Sequence, residues 1–518
     1  MVLLAAILQT FLFALAPVVS LLAANIEVVA PRGAIRPALV MLLIAVGGLI
    51  LLRRLLGRLD AAAAVVSLGF LLLSQNQIRD GLSGMLYWDR RGIVAGAVSV
   101  VWLAAIGLAI VAVIRSRAIP PRTSMVLLVV AVALLAPAVA RIAQHEIQYR
   151  SPWLALQPPP EQPALLPASP MPDFYYIILD GYGREDILAD LYGVDNSEFL
   201  SALRERGFFV ASASRANYGQ TSLSLASSLN MAYLDSVGES VGSESSDQLP
   251  IARLVRFSLL REIFGRHGYQ FIALPTGYRR TEIDNADLFP RPTSPAITPF
   301  ESQVLETIGL GPALIQLARL GVVSALPGYA AHRDRLEFAF SELARLATSP
   351  GPKFVFAHII LPHPPFVFDA GGNVVNPEHL FQLQDGNEFA GSDDKYRAGY
   401  SAQIEYTNRR VLQLVDQILA AEGLRPVIVL QADHGPGVGL NWLSPETTDL
   451  RERMSIFNAY YAPQAEGSLY PEITPVNSFR VLLNEYLGYS FALLPNRSQF
   501  SNWQRPYAFY EFPAGAAE

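Results

Sequence analysis

The chain has 518 residues, 51% of them hydrophobic, and a mean hydropathy of +0.29, which is too apolar for a purely soluble protein and too long for one ordinary domain. Its 39 basic and 45 acidic residues give a net charge of −6, so nothing in the balance points to nucleic-acid binding. It contains no cysteine, which excludes disulfides, zinc–thiolate centres and thiol nucleophiles.

The apolar excess comes first. Runs at 2–24, 37–52, 61–74, 93–114 and 124–140 predict about five membrane helices and a transmembrane domain over 1–145, measured against the ~20 residues a spanning helix needs. The third run is the shortest. Five spans put the two termini on opposite sides, and the short loops with Arg53, Arg54 and Arg58 and with Arg115, Arg117 and Arg122 then share one side. The positive-inside rule makes that side cytoplasmic. The opposite loops hold Arg32, Arg36, Arg79, Arg90 and Arg91 but also Glu27, Asp80 and Asp89. A multi-pass protein of the cell (inner) membrane is expected, with everything after 145 in the periplasm or outside the cell. No Lys or Arg precedes the first run and further spans follow it, which argues against a cleaved signal peptide.

Residues 146–172 read as a linker, because eight prolines between Pro152 and Pro172 block helix and favour an extended spacer. From Asp173 to Glu518 strands and helices alternate, predicting an α/β domain. Buried strands are expected at Phe174–Leu179, Gln270–Leu274, Lys353–Ile360 and Val427–Leu430, with helices over 331–347, 393–420 and 476–487 and one more strand over Ser455–Tyr461.

Two of these strands end in metal-ligand chemistry. The run Phe174-Tyr175-Tyr176-Ile177-Ile178-Leu179 delivers Asp180 and a Gly181 turn to the carboxyl edge of the sheet, where open α/β folds place their ligands. The run Val427-Ile428-Val429-Leu430-Gln431-Ala432 ends in Asp433-His434-Gly435, setting carboxylate and imidazole side by side. Such a donor set suits a divalent cation. Between them, Asn217-Tyr218-Gly219-Gln220-Thr221 forms a glycine turn leading into a helical pattern. That puts Thr221 at a helix N-terminus, where free N–H groups favour a phosphoryl oxygen; the plainer reading is a capping hydroxyl. His358 lies inside an apolar strand and reads as a satisfied core histidine, whereas His363, in the proline-bounded loop Leu361-Pro362-His363-Pro364-Pro365, reads as a residue at the site mouth. Asn441, Glu452 and Arg453 are near in sequence and read as solvated surface.

In this order and on these elements, Asp180, Thr221, Asp433 and His434 resemble the alkaline phosphatase superfamily in its sulfatase-like membrane branch, which includes lipoteichoic acid synthases and phosphoglycerol and phosphoethanolamine transferases. The resemblance covers about 173–500 and extends to the N-terminus through the membrane-first layout. It implies that Asp180, Asp433 and His434 bind one divalent cation, Mn²⁺ or Zn²⁺, and that Thr221 is both ligand and nucleophile, with His363 in contact with substrate. The transferases of the branch mostly carry Glu at the position of Asp180. All seven histidines lie at or before His434, so the late histidine of two-zinc phosphatases is missing.

The expected function is therefore phosphoryl transfer on a phospholipid headgroup or envelope glycan through a phospho-threonine. A periplasmic or extracellular phosphodiesterase or phosphatase with the same site is the first alternative, and a non-catalytic envelope protein retaining the fold is the second. A true sulfatase is disfavoured, because its formylglycine arises from Cys or Ser and this position is Thr221.

Overall fold

The computed structural model describes residues 2–73, 93–152, 156, 161, 171–323, 325–421, 423 and 425–512. Most of the predicted proline linker and the loop carrying Arg79, Arg90 and Arg91 lie outside the described residues. The chain divides into two compact units. The first comprises Met1–Gln148, Ala296–Ala330 and Glu378–Phe381, and the second comprises Tyr149–Pro295, Ala331–Pro377 and Gln382–Glu518.

The first unit contains apolar helices at Val2–Ala24, Ile35–Leu56, Leu59–Leu73, Ile93–Arg115 and Pro121–Tyr149, whose last residue enters the second unit. Among the described residues three stretches, Leu3–Ala24, Pro31–Leu56 and Arg122–Tyr149, are long and apolar enough to cross a membrane. Leu59–Leu73 has 15 residues, about 22 Å of helix against a ~30 Å hydrocarbon layer. The last helix runs on to Tyr149, past the start expected for the linker. Gly57, in the left-handed region at φ 69°, ends the second helix; only a residue without Cβ turns there at little cost. Small residues let backbones approach: Ala6, Ala14, Ala62 and Ala63 are buried together. Thr10 Oγ1 lies 3.3 Å from both Ala63 O and Ser67 Oγ, a polar link between the first and third helices.

The second unit is built on a six-stranded sheet. Its strands are β1 (Phe174–Leu179), β2 (Phe209–Val210), β3 (Gln270–Ala273), β4 (Lys353–Ile359), β5 (Val427–Gln431) and β6 (Asn458–Tyr461), in the order β2-β6-β5-β1-β4-β3. β1, β3, β4 and β5 run parallel; at one side β6 runs antiparallel to β5, and β2, antiparallel to β6, runs in the direction of the parallel strands again. β1, β4 and β5 are buried along their whole length, which is why each reads as an unbroken apolar run. A second sheet, β7 (Ser498–Asn502) paired with β8 (Arg505–Phe512), has no counterpart in the expectations from sequence. The long helix Asp393–Leu419 starts at Ser392, whose side chain accepts from Lys395 N–H.

Candidate active site

The site forms where three neighbouring parallel strands end. Ile178 of β1 pairs with Gln431 of β5 on one side and His358 of β4 on the other, so Asp180, Asp433-His434 and the loop to His363 leave the same sheet edge together. The helix Thr221–Asn230 begins at this edge.

Thr221 Oγ1 lies 2.9 Å from His434 Nε2. Gln220, not Thr221, occupies the cap position and makes no side-chain cap bond, so the hydroxyl is committed to the site and not to the helix end. His434 Nδ1–H donates to Gly435 O at 2.9 Å, which leaves the Nε2 lone pair facing 3.2 Å from Asp433 Oδ2 and 3.5 Å from Asp180 Oδ1. Those two carboxylate oxygens are buried and accept no hydrogen bond. The other oxygens are held. Asp433 Oδ1 accepts from Gly181 N–H at 3.1 Å, and Asp180 Oδ2 accepts from His358 Nε2–H at 3.0 Å. One ligand atom from each of Asp180, Asp433 and His434 falls within 4.8 Å of the others. Unpaired buried carboxylate oxygens facing an imidazole lone pair are costly without a cation between them, so the donor set fits a divalent metal.

The electrostatics agree. Burial, reinforced by the charge of Arg453, lowers the pKa of His434 and keeps the imidazole neutral. Burial works against ionisation of Asp180, but His363 and His358 outweigh it and hold the carboxyl well below the usual range. For His363 burial lowers the pKa, and Asp180 and Asp385 together raise it above the ordinary value.

His363 sits at the rim, partly exposed. Its backbone N–H donates to Asp180 O at 3.0 Å, its Nδ1–H donates to Pro364 O at 2.5 Å, and its Nε2 is 3.9 Å from Asp385 Oδ2. His358 is a buried histidine with both nitrogens engaged, since Nδ1 is 3.1 Å from Thr281 Oγ1. Its other partner, however, is Asp180, so it orients a candidate ligand.

Glu452 and Arg453 are not on the surface as their sequence neighbourhood implied. Both are about 1% exposed. Arg453 donates from Nη1 to Asp385 Oδ2 at 2.8 Å and to Gly435 O at 3.1 Å, and from Nε to Gly219 O at 2.9 Å. One guanidinium therefore fastens the turn before Thr221 to the turn after His434. Asp385 also accepts from Tyr396 O–H at 2.7 Å. Glu452 accepts from Gly439 N–H at 2.7 Å and from Tyr192 O–H, and burial raises its pKa. Asn441 stays near the surface, where Thr447 and Thr448 bond it. Sequence reasoning missed Asp385 altogether. It lies in a loop with no strand end or motif to mark it.

Comparison with known proteins places this architecture. A family model described as Sulfatase matches residues 172–472, more than half of the 518-residue chain, and the chain belongs to that family of enzymes. Among solved structures, the C-terminal periplasmic domain of EptC from Escherichia coli, in complex with zinc, is similar at 13% identity and a TM-score of 0.42, over 69% of this chain and 98% of that one. The integral membrane protein lipooligosaccharide phosphoethanolamine transferase A (EptA) from Neisseria meningitidis gives 13% identity and 0.42 over 94% and 95%. A phosphonate monoester hydrolase of Agrobacterium radiobacter gives 15% and 0.38 over 64% and 80%. No curated protein matches the chain in a sequence comparison.

Proposed function

We propose that this protein is a membrane-anchored, metal-dependent phosphotransferase that acts on a phospholipid headgroup or envelope glycan through a phospho-threonine at Thr221. One observation carries the reading. Thr221 Oγ1, His434 Nε2 and the unbonded oxygens Asp180 Oδ1 and Asp433 Oδ2 converge at a sheet edge beside a helix N-terminus. Asp180, Asp433, His434 and Thr221 would hold one cation, Mn²⁺ or Zn²⁺, whose positive charge would lower the pKa of the Thr221 hydroxyl and offset charge on the phosphoryl oxygens.

The chain's own groups do the rest. Deprotonated Thr221 Oγ attacks phosphorus in line, the Oγ–P bond forms and the bond to the leaving oxygen breaks. His363, raised in pKa by carboxylates on two sides, gives a proton to the leaving alkoxide. Asp385, whose Oδ2 lies 3.9 Å from His363 Nε2, contributes with Asp180 to that upward shift. An acceptor hydroxyl then attacks phosphorus and gives its proton to the now-neutral His363; the new O–P bond forms, the Oγ–P bond breaks, and both Thr221 Oγ and protonated His363 are regenerated. His358 and Gly181 fix the carboxylates, and Arg453 fixes the two turns.

The second reading keeps the site and replaces the acceptor by water, and the Asp180-Gly181 sequence favours it. Turnover of phosphatidylethanolamine and phosphatidylglycerol by the full-length protein in mixed micelles separates the two. Diacylglycerol released with the headgroup phosphate transferred to an added alcohol identifies a transferase. Free headgroup phosphate in the presence of that alcohol identifies a hydrolase, and no release from either lipid with metal present rejects lipid headgroups as donors.

A further inference from the structure

The segment Ala296–Ala330 lies within the catalytic part of the sequence but belongs to the same compact unit as the membrane helices. Helix Pro299–Thr307, opened by a capping box between Thr298 and Glu301, buries Phe300 and Val304 in one cluster with Leu22, Ile26, Ala34 and Met41. Glu301 pairs with Arg36 in the first turn of the helix Ile35–Leu56. These contacts fix the segment at the end of the bundle where the first helix finishes and the second begins.

The next stretch inverts the pattern of a water-facing helix. In Gly311–Arg319 the glycine is buried and Leu314, Ile315 and Ala318 are half-buried. Leu310, Ala313, Leu317 and Leu320 recur at spacings that put them on one stripe, and all four are exposed. Leu310 is 46% exposed, Leu317 37%, Leu320 66%, and Val322 just beyond is 67% exposed. Single exposed apolar residues are ordinary, but an apolar stripe whose other face is already packed has no partner among the described residues. The same unit carries the exposed apolar faces of the bundle itself, such as Leu39, Leu43 and Ile50 on the helix that Glu301 grips. The only charge between Leu310 and Val323 is Arg319, which suits anionic headgroups.

We propose that Leu310–Val323 is an interfacial element that rests in the headgroup–acyl boundary of the bilayer holding the bundle. Its occupant is lipid. It rests on the reading of the bundle as membrane-embedded, and it would hold part of the catalytic-domain sequence against the surface from which a lipid substrate is drawn.

The absence of cysteine makes the test direct. Single variants Leu317→Cys, Leu320→Cys and Val322→Cys of the full-length protein in nanodiscs containing phosphatidylglycerol are spin-labelled, with Leu43→Cys as the bundle reference. Collision with oxygen should exceed collision with a water-soluble nickel chelate at all four sites, least so at Val322 or Leu320 if the element is shallow. A lipid-exposed Leu43 label with nickel-dominated labels at 317, 320 and 322 overturns this proposal alone. A nickel-dominated Leu43 label removes the bilayer reading and this proposal with it. Labels shielded from both agents and broadened by a neighbouring spin make a second copy of the chain the occupant and also overturn it.

Discussion

In the proposed site Asp433 and His434 would each supply one of four ligand atoms, so either change to Ala would remove a quarter of the donors together with the polarity that attracts a cation. The full-length protein should bind about one Mn²⁺ or Zn²⁺ per chain, and Asp433→Ala and His434→Ala should lose it while their melting profiles stay cooperative. Metal analysis of the purified proteins checks this; full occupancy in both variants would contradict the ligand assignment. Arg453 behaves differently, because it is a buried cation whose loss leaves Asp385 buried without its strongest ion-pair partner, with Tyr396 O–H and the more distant His363 facing it. Arg453→Ala should cost about 3–5 kcal/mol, seen as a Tm lower by roughly 5 °C or more. Adding Asp385→Ala should recover part of that loss, and a double variant no more stable than Arg453→Ala would show that the ion pair is not what holds the two turns. The convergence of Asp180, Asp433 and His434 at one sheet edge was legible because each follows its strand directly in sequence. Arg453 was not, since its burial depends on Asp385, 68 positions away, and no local pattern separates a buried charge from a solvated one.

The turn after His434 shows how tightly the elements are set. A Cβ on Gly435 would fall 2.1 Å from Glu452 O and 3.2 Å from Arg453 O, so only glycine lets the helix Leu450–Met454 close on the β5 turn. Gly435 N–H donates to Arg453 O at 2.7 Å across the same contact. Gly435→Ala should push the two backbones apart, costing about 1–3 kcal/mol, and should lower metal loading as His434 shifts. A variant with unchanged Tm and metal content would mean that the contact has room to give. At this scale the parallel strands were the most readable feature. β1 matched its expected bounds, and β3, β4 and β5 differed by a residue at one end. Burial on both faces explains this, because it writes an unbroken apolar run. The β7–β8 pair went unread because β7 buries mainly polar residues, Ser498, Gln499 and Ser501, and β8 is partly exposed, so neither carries a plain apolar pattern. The helix Thr221–Asn230 begins where the glycine turn and helical pattern put it, but the pattern did not show how it is packed. Ser222, Ser224, Ser227 and Ser228 are buried as fully as Leu223 and Leu225, so it is enclosed on all sides and has no solvated face.

For the molecule as a whole, the sequence marks a boundary where the prolines begin, yet the chain crosses between compact units again at 296–330 and 378–381. Such a return depends on tertiary contacts such as Arg36 with Glu301, which composition cannot show. Orientation is a separate matter. The arginine-dense loops at 53–58 and 115–122 place the second unit outside the cytoplasm if all five helices span, including the 15-residue Leu59–Leu73. A reporter active only in the cytoplasm, fused after Glu518, should be silent. Strong activity would mean an even number of spans or the reverse orientation.

The covalent step at Thr221 is the centre of the proposed function, and mass measurement of the trapped protein reaches it most directly. Thr221→Ala removes no helix cap, because Gln220 holds that position without a side-chain bond, so stability should change by about 1 kcal/mol or less. Turnover should fall far more, and Thr221→Ser should keep part of it. Wild-type protein quenched during turnover of a phospholipid donor should gain the mass of the transferred phosphoryl headgroup, mapped to the peptide containing Thr221, and Thr221→Ala should gain none. An adduct on Ser222 or Ser224, or an Ala variant that still turns over at the wild-type rate, would contradict the account.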